Sequence, residues 1–349
     1  MATTVNKRIE WLDSLRGFAM FFVILGHVGS IASDQRLLIY AFHMPLFFMI
    51  SGATFRPGKY DSFLACVKDK AKKLLLPYVF LYLINIPFWY LNKRVLGSST
   101  TPVFDVFMGM FYSNQDLEAM SSGALWFLPV LFFVSVIFYG MVELDRKGKL
   151  KLEASMLICF ALVVYLSMFF GKDTILHWAT VPMAIVFYFL GWAFIQNYKK
   201  IIDVIIGKET NRNSFAPQIR FTVVAIALFA IGVWAGVDNG KISMHNNNYN
   251  TIALAFVSSI GISAAFTMLM MKLPKIKLLD YAGKNSIIFF GFHIAFLRLF
   301  EALSITGGFA ESHTLSTAII IFLLMVPVSM FVNRFCPFIV MKKRQPKKA

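Results

Sequence analysis

The chain has 349 residues, of which 58% are hydrophobic and 15% charged, against roughly 25% charged in ordinary soluble domains. That balance excludes a soluble globular protein. Apolar runs recur along the whole length, so the fold class expected is all-α: one polytopic membrane bundle over residues 1–349. The net charge of +16 comes from 34 Lys and Arg against 18 Asp and Glu. These basic residues sit between apolar runs and no nucleic-acid module is visible, so the charge reads as membrane topology and no nucleic-acid partner is expected.

A helix needs about 20 mostly apolar residues to span a bilayer. In chain order the uncharged stretches fall at 17–33, 37–55, 74–92, 124–142, 155–171, 174–198, 221–237, part of 243–271, 285 to about 304, and 313–333, which predicts ten transmembrane helices. The first has no A-x-A cleavage signal and reads as a retained span. Residues 102–112 are apolar but broken by Asp105, too short to cross, and read as an external re-entrant or interfacial piece. Alternate loops are strongly basic, as in the runs at 56–73, 146–151, 199–220, 272–284 and after 342, whereas the opposite loops carry only Arg36, Lys93, Arg94, Lys172 and Lys241. The positive-inside rule then puts both termini in the cytoplasm. Segment 199–220 becomes the longest cytoplasmic linker, and the polar segments 114–123 and 245–250 lie outside, where loops can shape an acceptor site. Cys66, Cys159 and Cys336 have no spacing that indicates a disulfide or a metal site.

Charged and titratable groups at bilayer depth are costly and therefore candidates for function. In the first span, eleven helical steps separate Arg16 from His27, which brings them within about 20° of one face and about 16 Å apart along the axis. A snorkelling Arg16 with a packing His27 would explain the pair, and so would a functional stripe. His43 in the second span lies at a depth comparable to His27, so two histidines can converge on one cavity. Histidine titrates near neutrality and can take a proton from a hydroxyl. His27 is the first candidate base, with His43 a second or an orienting neighbour. Asp13 is spaced for an i,i+3 ion pair with Arg16, or is only a charge at a helix N-terminus. Ser51 and Gly52 allow close helix packing or the passage of a thin ligand.

The run KDKAKKLLLPY, with Lys72 and Lys73, either sets topology and meets anionic lipid or binds the phosphates of a nucleotide-like donor; no GxGxxG or P-loop accompanies it. Gly283 to Ser286 would start the ninth span and place His293 near mid-membrane, where a core histidine is the plain alternative to a site residue. Arg298 and Glu301 are spaced to neutralise one another. His177, His245 and His313 fall at span boundaries as ordinary interfacial histidines. No HExxH, cysteine cluster or carboxylate-rich constellation calls for a metal.

Taken in order, RIEWLDSLRGFAMFFVILGH with its Arg-x10-His spacing, FHMPLFFMISG, KAKKLLLPY, ALWFLPVLFF and GKNSIIFFGFH resemble acyltransferase family 3, the integral-membrane O-acyltransferases, and particularly the fucose 4-O-acetylase-like branch. The resemblance spans most of the chain. It implies transfer of an acyl group, most often acetyl from cytoplasmic acetyl-CoA, to a hydroxyl of an envelope carbohydrate or glycolipid, in a cell membrane of bacterial inner or plasma type. It carries over Arg16 and His27 as essential residues, and the segment 47–52, with Phe47, Phe48 and Ser51, as part of the donor path. The extra esterase-like domain of some members is not recognised here, which implies a stand-alone sugar-modifying member.

In that chemistry His27 acts as general base or as an acetyl relay when the sugar hydroxyl attacks the thioester. Arg16, with Lys72 and Lys73, would hold the CoA phosphates. The pantetheine arm would then bridge the about 16 Å to His27, which requires Arg16 and His27 to open on one cavity. Two other readings compete: a transporter or flippase of a sugar or lipid-linked sugar, for which no symmetric pair of interrupted helices is found, and a scaffold whose polar residues only lock helices together.

Overall fold

The structure, a computed structural model, describes residues 9–96, 102–111, 123–170, 174–207 and 215–342. Its helices in order are α1 (Glu10–His27), α2 (Ser33–Ala53), α3 (Phe63–Lys70), α4 (Leu76–Leu96), α5 (Val103–Met108), α6 (Phe127–Arg146), α7 (Leu152–Phe169), α8 (Val181–Ile206), α9 (Phe215–Asn239), α10 (Ile252–Lys272), α11 (Lys277–Lys284), α12 (Ser286–Ala302), α13 (Ser304–Ser312) and α14 (Thr314–Phe335). Among the described residues the only β-type pairing is an isolated bridge between Ser243 and Asn248. Eight segments are long and apolar enough to cross a bilayer, or nine if α11 and α12, bent by 91°, form one span. α1 is not one of the eight: it is only 18 residues long, so no span-length stretch of it leaves out Glu10, Asp13 and Arg16, whereas longer helices such as α6 and α8 keep their charges at one end. The chain is therefore a polytopic helical membrane bundle, and a helix stands at each of the ten predicted spans.

Several boundaries differ from the sequence expectation for local reasons. α1 starts at Glu10 rather than at residue 17, because the charged turn before Arg16 continues the helix, and it ends on His27 as Val28 turns extended. α3 runs into α4 through a π-helical turn, Ala71–Leu75, so the third span has an amphipathic lead-in. α8 continues to Ile206 and α9 begins at Phe215, so much of the expected 199–220 linker is helix. Its middle, 208–214, and most of the polar 114–123 segment lie outside the described residues. α13 departs from the sequence expectation, because its Gly and Ser content reads as loop.

The piece at 102–111 does not cross. α5 is 6 residues long, and the hydroxyls of Tyr82 and Tyr78 on α4 donate to the carbonyls of Val106 and Met110, each at 2.6 Å. These bonds satisfy backbone carbonyls that lipid could not.

Helices in lipid gain little from burying apolar surface against one another and depend on close packing. At the α2–α8 crossing, Gly52 lies against the Tyr188 carbonyl and Gly191 against that of Met49. At the α1–α11 crossing, Gly17 lies against the Leu279 carbonyl and Gly283 against that of Asp13. An added Cβ at any of the four would meet backbone, so Gly52 serves packing rather than ligand passage. The second crossing also fixes the Asp13–Gly17 turn that carries Arg16. Outward, α7, α9 and α14 expose Leu157, Met168, Ile226, Trp234 and Phe331, the apolar surface expected to meet lipid.

Gly191→Ala should push α2 and α8 apart at a cost of about 1–3 kcal/mol, the scale of overpacking changes, and lower the melting temperature of the detergent-purified protein. Gly58→Ala, where a Cβ meets nothing within 4 Å, should leave it unchanged. Identical melting of the two variants would rule out the crossing as a constraint.

Candidate active site

α1 packs against α2 and α12, and the three helices gather three histidines. The ring centroids of His27 and His293 are 5.3 Å apart, and Tyr40 stands 6.5 Å from His27 and 5.2 Å from His43. His27 and His43 line one cavity of about 310 Å³ together with Arg36, Tyr40, Trp126 and Lys241. The convergence expected of these two histidines is thus present in the geometry.

The hydrogen bonds assign the ring nitrogens. His43 Nδ1 lies 2.7 Å from the Ile39 carbonyl, and His293 Nδ1 lies 3.0 and 3.1 Å from those of Phe289 and Phe290. A carbonyl only accepts, so both rings donate from Nδ1, and in the neutral form Nε2 carries a lone pair. His293 Nε2 is fully buried and has no hydrogen-bond partner. The sequence leaves His293 open between core and site; the structure places it beside His27 and outside the cavity lining. It is a core histidine in burial, yet its ring contacts are His27 and Phe290.

The outer wall of this cavity comes from the start of the predicted 124–142 span and from residues 241–246, which run into the polar 245–250 segment expected outside. Trp126, at the end of the 3-10 turn Gly123–Trp126, contacts the rings of both His177 and His245 at 5.6 Å, and those two rings are 4.4 Å apart. His177, expected as an ordinary interfacial histidine, is buried on a backbone with φ 56, and His245 lines the cavity. Asn247 fastens this loop to α7 by donating to the carbonyls of Leu166 and Phe170 at 3.0 and 2.7 Å. The Asn-rich run at 245–250 is the available signal, but nothing in it announces His177 or Trp126.

Toward the basic ends of the helices, a second cavity of about 330 Å³ is lined by Arg16, Phe47, Ser51, Thr54, Lys70 and Lys73, among others. Arg16 lies 3.8 Å from Asp13 in the expected i,i+3 pair. Lys73 pairs with Asp69 at 2.7 Å, and Asp69 also receives Lys59 at 3.1 Å and the Tyr60 hydroxyl at 2.9 Å. Burial, and then the Asp69 carboxylate, raise the Tyr60 pKa, so the phenol keeps its proton and goes on donating. Ser51 Oγ donates to the Phe47 carbonyl at 2.8 Å within α2. Lys72 is exposed and Phe48 is buried against Phe127 at 4.9 Å; neither lines this cavity, whereas Lys70 does.

Arg16 and His27 therefore open into separate cavities, which overturns the expectation of a single continuous bridge. Where they approach, Phe290 of α12 packs against Phe47 of α2 and Phe127 of α6, which line the inner cavity, with ring centroids 5.4 to 5.8 Å apart. Phe290 lines both cavities. Helical spacing puts Arg16 and His27 on one stripe, but it cannot report which side chains from other helices plug the groove along it.

Phe290→Ala should join the two cavities. With Met44, which lines the outer cavity, replaced by cysteine in an otherwise cysteine-free chain, a small membrane-impermeant thiol reagent supplied on the Arg16 face should label Phe290→Ala and spare the intact ring layer. Equal labelling would mean that the rings do not separate the cavities.

Among the described residues, no group of three or more His, Cys, Asp or Glu is placed to hold a metal ion. Residues 9–334 match the family model of acyltransferase family 3, described as an acyltransferase domain. A search of curated proteins and one of solved structures found no match. The family match takes in α1 with Arg16 and His27, both cavities, and nearly all of α14. The chain belongs to acyltransferase family 3 and is a multi-pass membrane acyltransferase.

Proposed function

We propose that the protein transfers acetyl from acetyl-CoA to a hydroxyl of an envelope carbohydrate or glycolipid, as in the fucose 4-O-acetylase-like branch that its motifs resemble. The observation that carries this reading is the pairing of a cationic cavity near the basic helix ends with a histidine cavity beyond it, one phenylalanine layer apart. With the basic loops in the cytoplasm of a cell membrane, as the positive-inside rule argues, the donor side is the Arg16 cavity and both termini are cytoplasmic.

Arg16, Lys70 and Lys73 hold the CoA phosphates by charge-assisted hydrogen bonds, and Asp13 orients Arg16. Phe47 and Ser51 line the donor path, while Phe48 supports it through Phe127. Lys72 remains at the membrane surface for anionic lipid. The thioester reaches His27 when the Phe47–Phe127–Phe290 layer gives way, since no open passage joins the cavities.

His27 then takes the proton of the acceptor hydroxyl as that oxygen attacks the thioester carbonyl. The C–S bond breaks, and the leaving sulfur collects the proton, which gives the O-acetyl ester and free CoA thiol. A relay through acetyl-His27 reaches the same products in two steps. A small turn of the His27 ring, whose centroid lies 5.3 Å from that of His293, brings its N–H to His293 Nε2, which is buried with a lone pair and no partner, and leaves the opposite nitrogen free toward the cavity. This is the orienting role that a carboxylate plays behind a catalytic histidine elsewhere. His43, whose Nδ1 is committed to Ile39, presents Nε2 to the acceptor.

The test is transfer of radiolabelled acetyl from acetyl-CoA to envelope glycans by membranes of matched folded abundance. His27→Ala should lose at least about 100-fold, the lower end for general acid–base groups. Arg16→Gln should raise the KM for acetyl-CoA about tenfold with kcat held, the loss of one charge-assisted contact. His293→Phe should lower kcat about tenfold at unchanged KM, and His293→Gln, which keeps an acceptor oxygen, should recover most of it. Equal labelling by wild type and His27→Ala would remove His27 from the chemistry, and no label from either with native glycans present would point to another acyl donor.

A further inference from the structure

We propose that the outer cavity takes an acidic acceptor, a sugar with a carboxylate or phosphate close to the hydroxyl that is modified; this rests on the reading of His27 as the transfer site. The segments read as opposite the basic face hold five Lys and Arg, namely Arg36, Lys93, Arg94, Lys172 and Lys241. Two of them, Arg36 and Lys241, line the cavity of His27, and Arg298 of α12 joins them there. The positive-inside rule supplies no topological reason to gather cations on that face.

Among the described residues, the charge of Arg36 and Lys241 is not cancelled within the site. No Asp or Glu is among the described lining residues. Glu301 stands behind Arg298, pairing with it at 2.8 Å and accepting the Gly29 backbone N–H at 3.0 Å. Arg36 and Lys241 make no ion pair with a described carboxylate.

Arg36 is also held in place. One terminal nitrogen donates to the carbonyls of Val28 and Gly29, each at 3.1 Å, and these residues directly follow His27. Its Nε is fully buried without a partner. A guanidinium braced on the turn after His27 is a fixed positive group beside the reacting position, and its attraction for an anion is stronger in a recessed, partly dehydrated cavity than in water. Lys241 is exposed on the rim, where its long stem can follow substrates of different shape. Trp126, His245 and Asn246 complete the wall with a ring face and polar edges suited to a sugar.

Carboxylate and phosphate share this chemistry, so the probes are glucuronate, glucose 1-phosphate and glucose. The measurement is protection of His27 in the detergent-solubilised full-length protein against carbethoxylation by diethyl pyrocarbonate, read by peptide mass spectrometry at constant pH and ionic strength. Glucuronate, glucose 1-phosphate or both should protect at concentrations at least tenfold below glucose, and the better one names the anion. Lys241→Gln should shrink that preference and Lys241→Glu should abolish it. Arg36→Gln should act likewise, but Arg36 braces the turn after His27, so the Lys241 variants decide between the outcomes if that protein does not fold.

Protection by glucose equal to that by the anions, absence of protection by all three, or a preference untouched in Lys241→Glu would overturn the proposal. The assay needs no turnover. An anion-selective His27 in a protein that never transfers acetyl would therefore refute the function proposed above and leave this site standing, whereas an active enzyme without anion preference would refute this inference alone.

Discussion

Polar side chains in a bilayer have no water to fall back on, and α1 places an aspartate, an arginine and a histidine within one helix of 18 residues. The surrounding architecture follows from that constraint. Asp13 and Arg16 sit side by side, and α11 closes over their turn because Gly17 and Gly283 let two backbones meet. His27 ends the helix at a polar cavity instead of facing lipid. α12 leaves α11 at a right angle through Asn285, whose side-chain oxygen accepts from Asn333 and Lys342 at 2.8 and 2.7 Å. That corner lets one chain segment brace Arg16 from the side and then rise to set Phe290, His293 and Arg298 along α1.

In the proposed reaction the phenylalanine layer is the barrier that the donor has to pass. Two cavities that met freely would leave a path through the bundle, and a thioester held there during the proposed transfer would be open to hydrolysis. Three rings from three helices keep the sides apart while remaining soft enough to turn, since aromatic edge contacts are worth only about 0.5–1.5 kcal/mol each. In the proposed reaction a barrier of that kind excludes water at rest and opens for the thin acyl chain of the donor.

His293 shows how a buried group with an unmet hydrogen bond can be more informative than an exposed one. An orphan acceptor in a fully buried site is costly, and in a native fold it calls for an explanation. Helical carbonyls hold its Nδ1, so its orientation is set by α12 alone. The remaining nitrogen, buried beside His27 without a partner, is the acceptor that the proposed reading uses to orient His27.

The sequence by itself determined the class of structure and the residues on α1. Apolar runs of span length, charge segregated to alternate loops, and the Arg16–His27 spacing are local properties, and bilayer thickness and helical periodicity convert them directly into helices and a polar stripe. His43 could be matched in depth to His27 for the same reason. What fills the space between elements was decided only by tertiary structure. The plug of Phe47, Phe127 and Phe290, the place of Lys70 rather than Lys72 at the inner cavity, and the meeting of Trp126, His177 and His245 all join residues far apart in the chain. An apolar helix with 38 phenylalanines to draw on across the protein carries no mark saying which of its rings turns inward. That choice is made by glycine-mediated crossings that set the rotation of one helix against another, and no periodicity within a single helix encodes it.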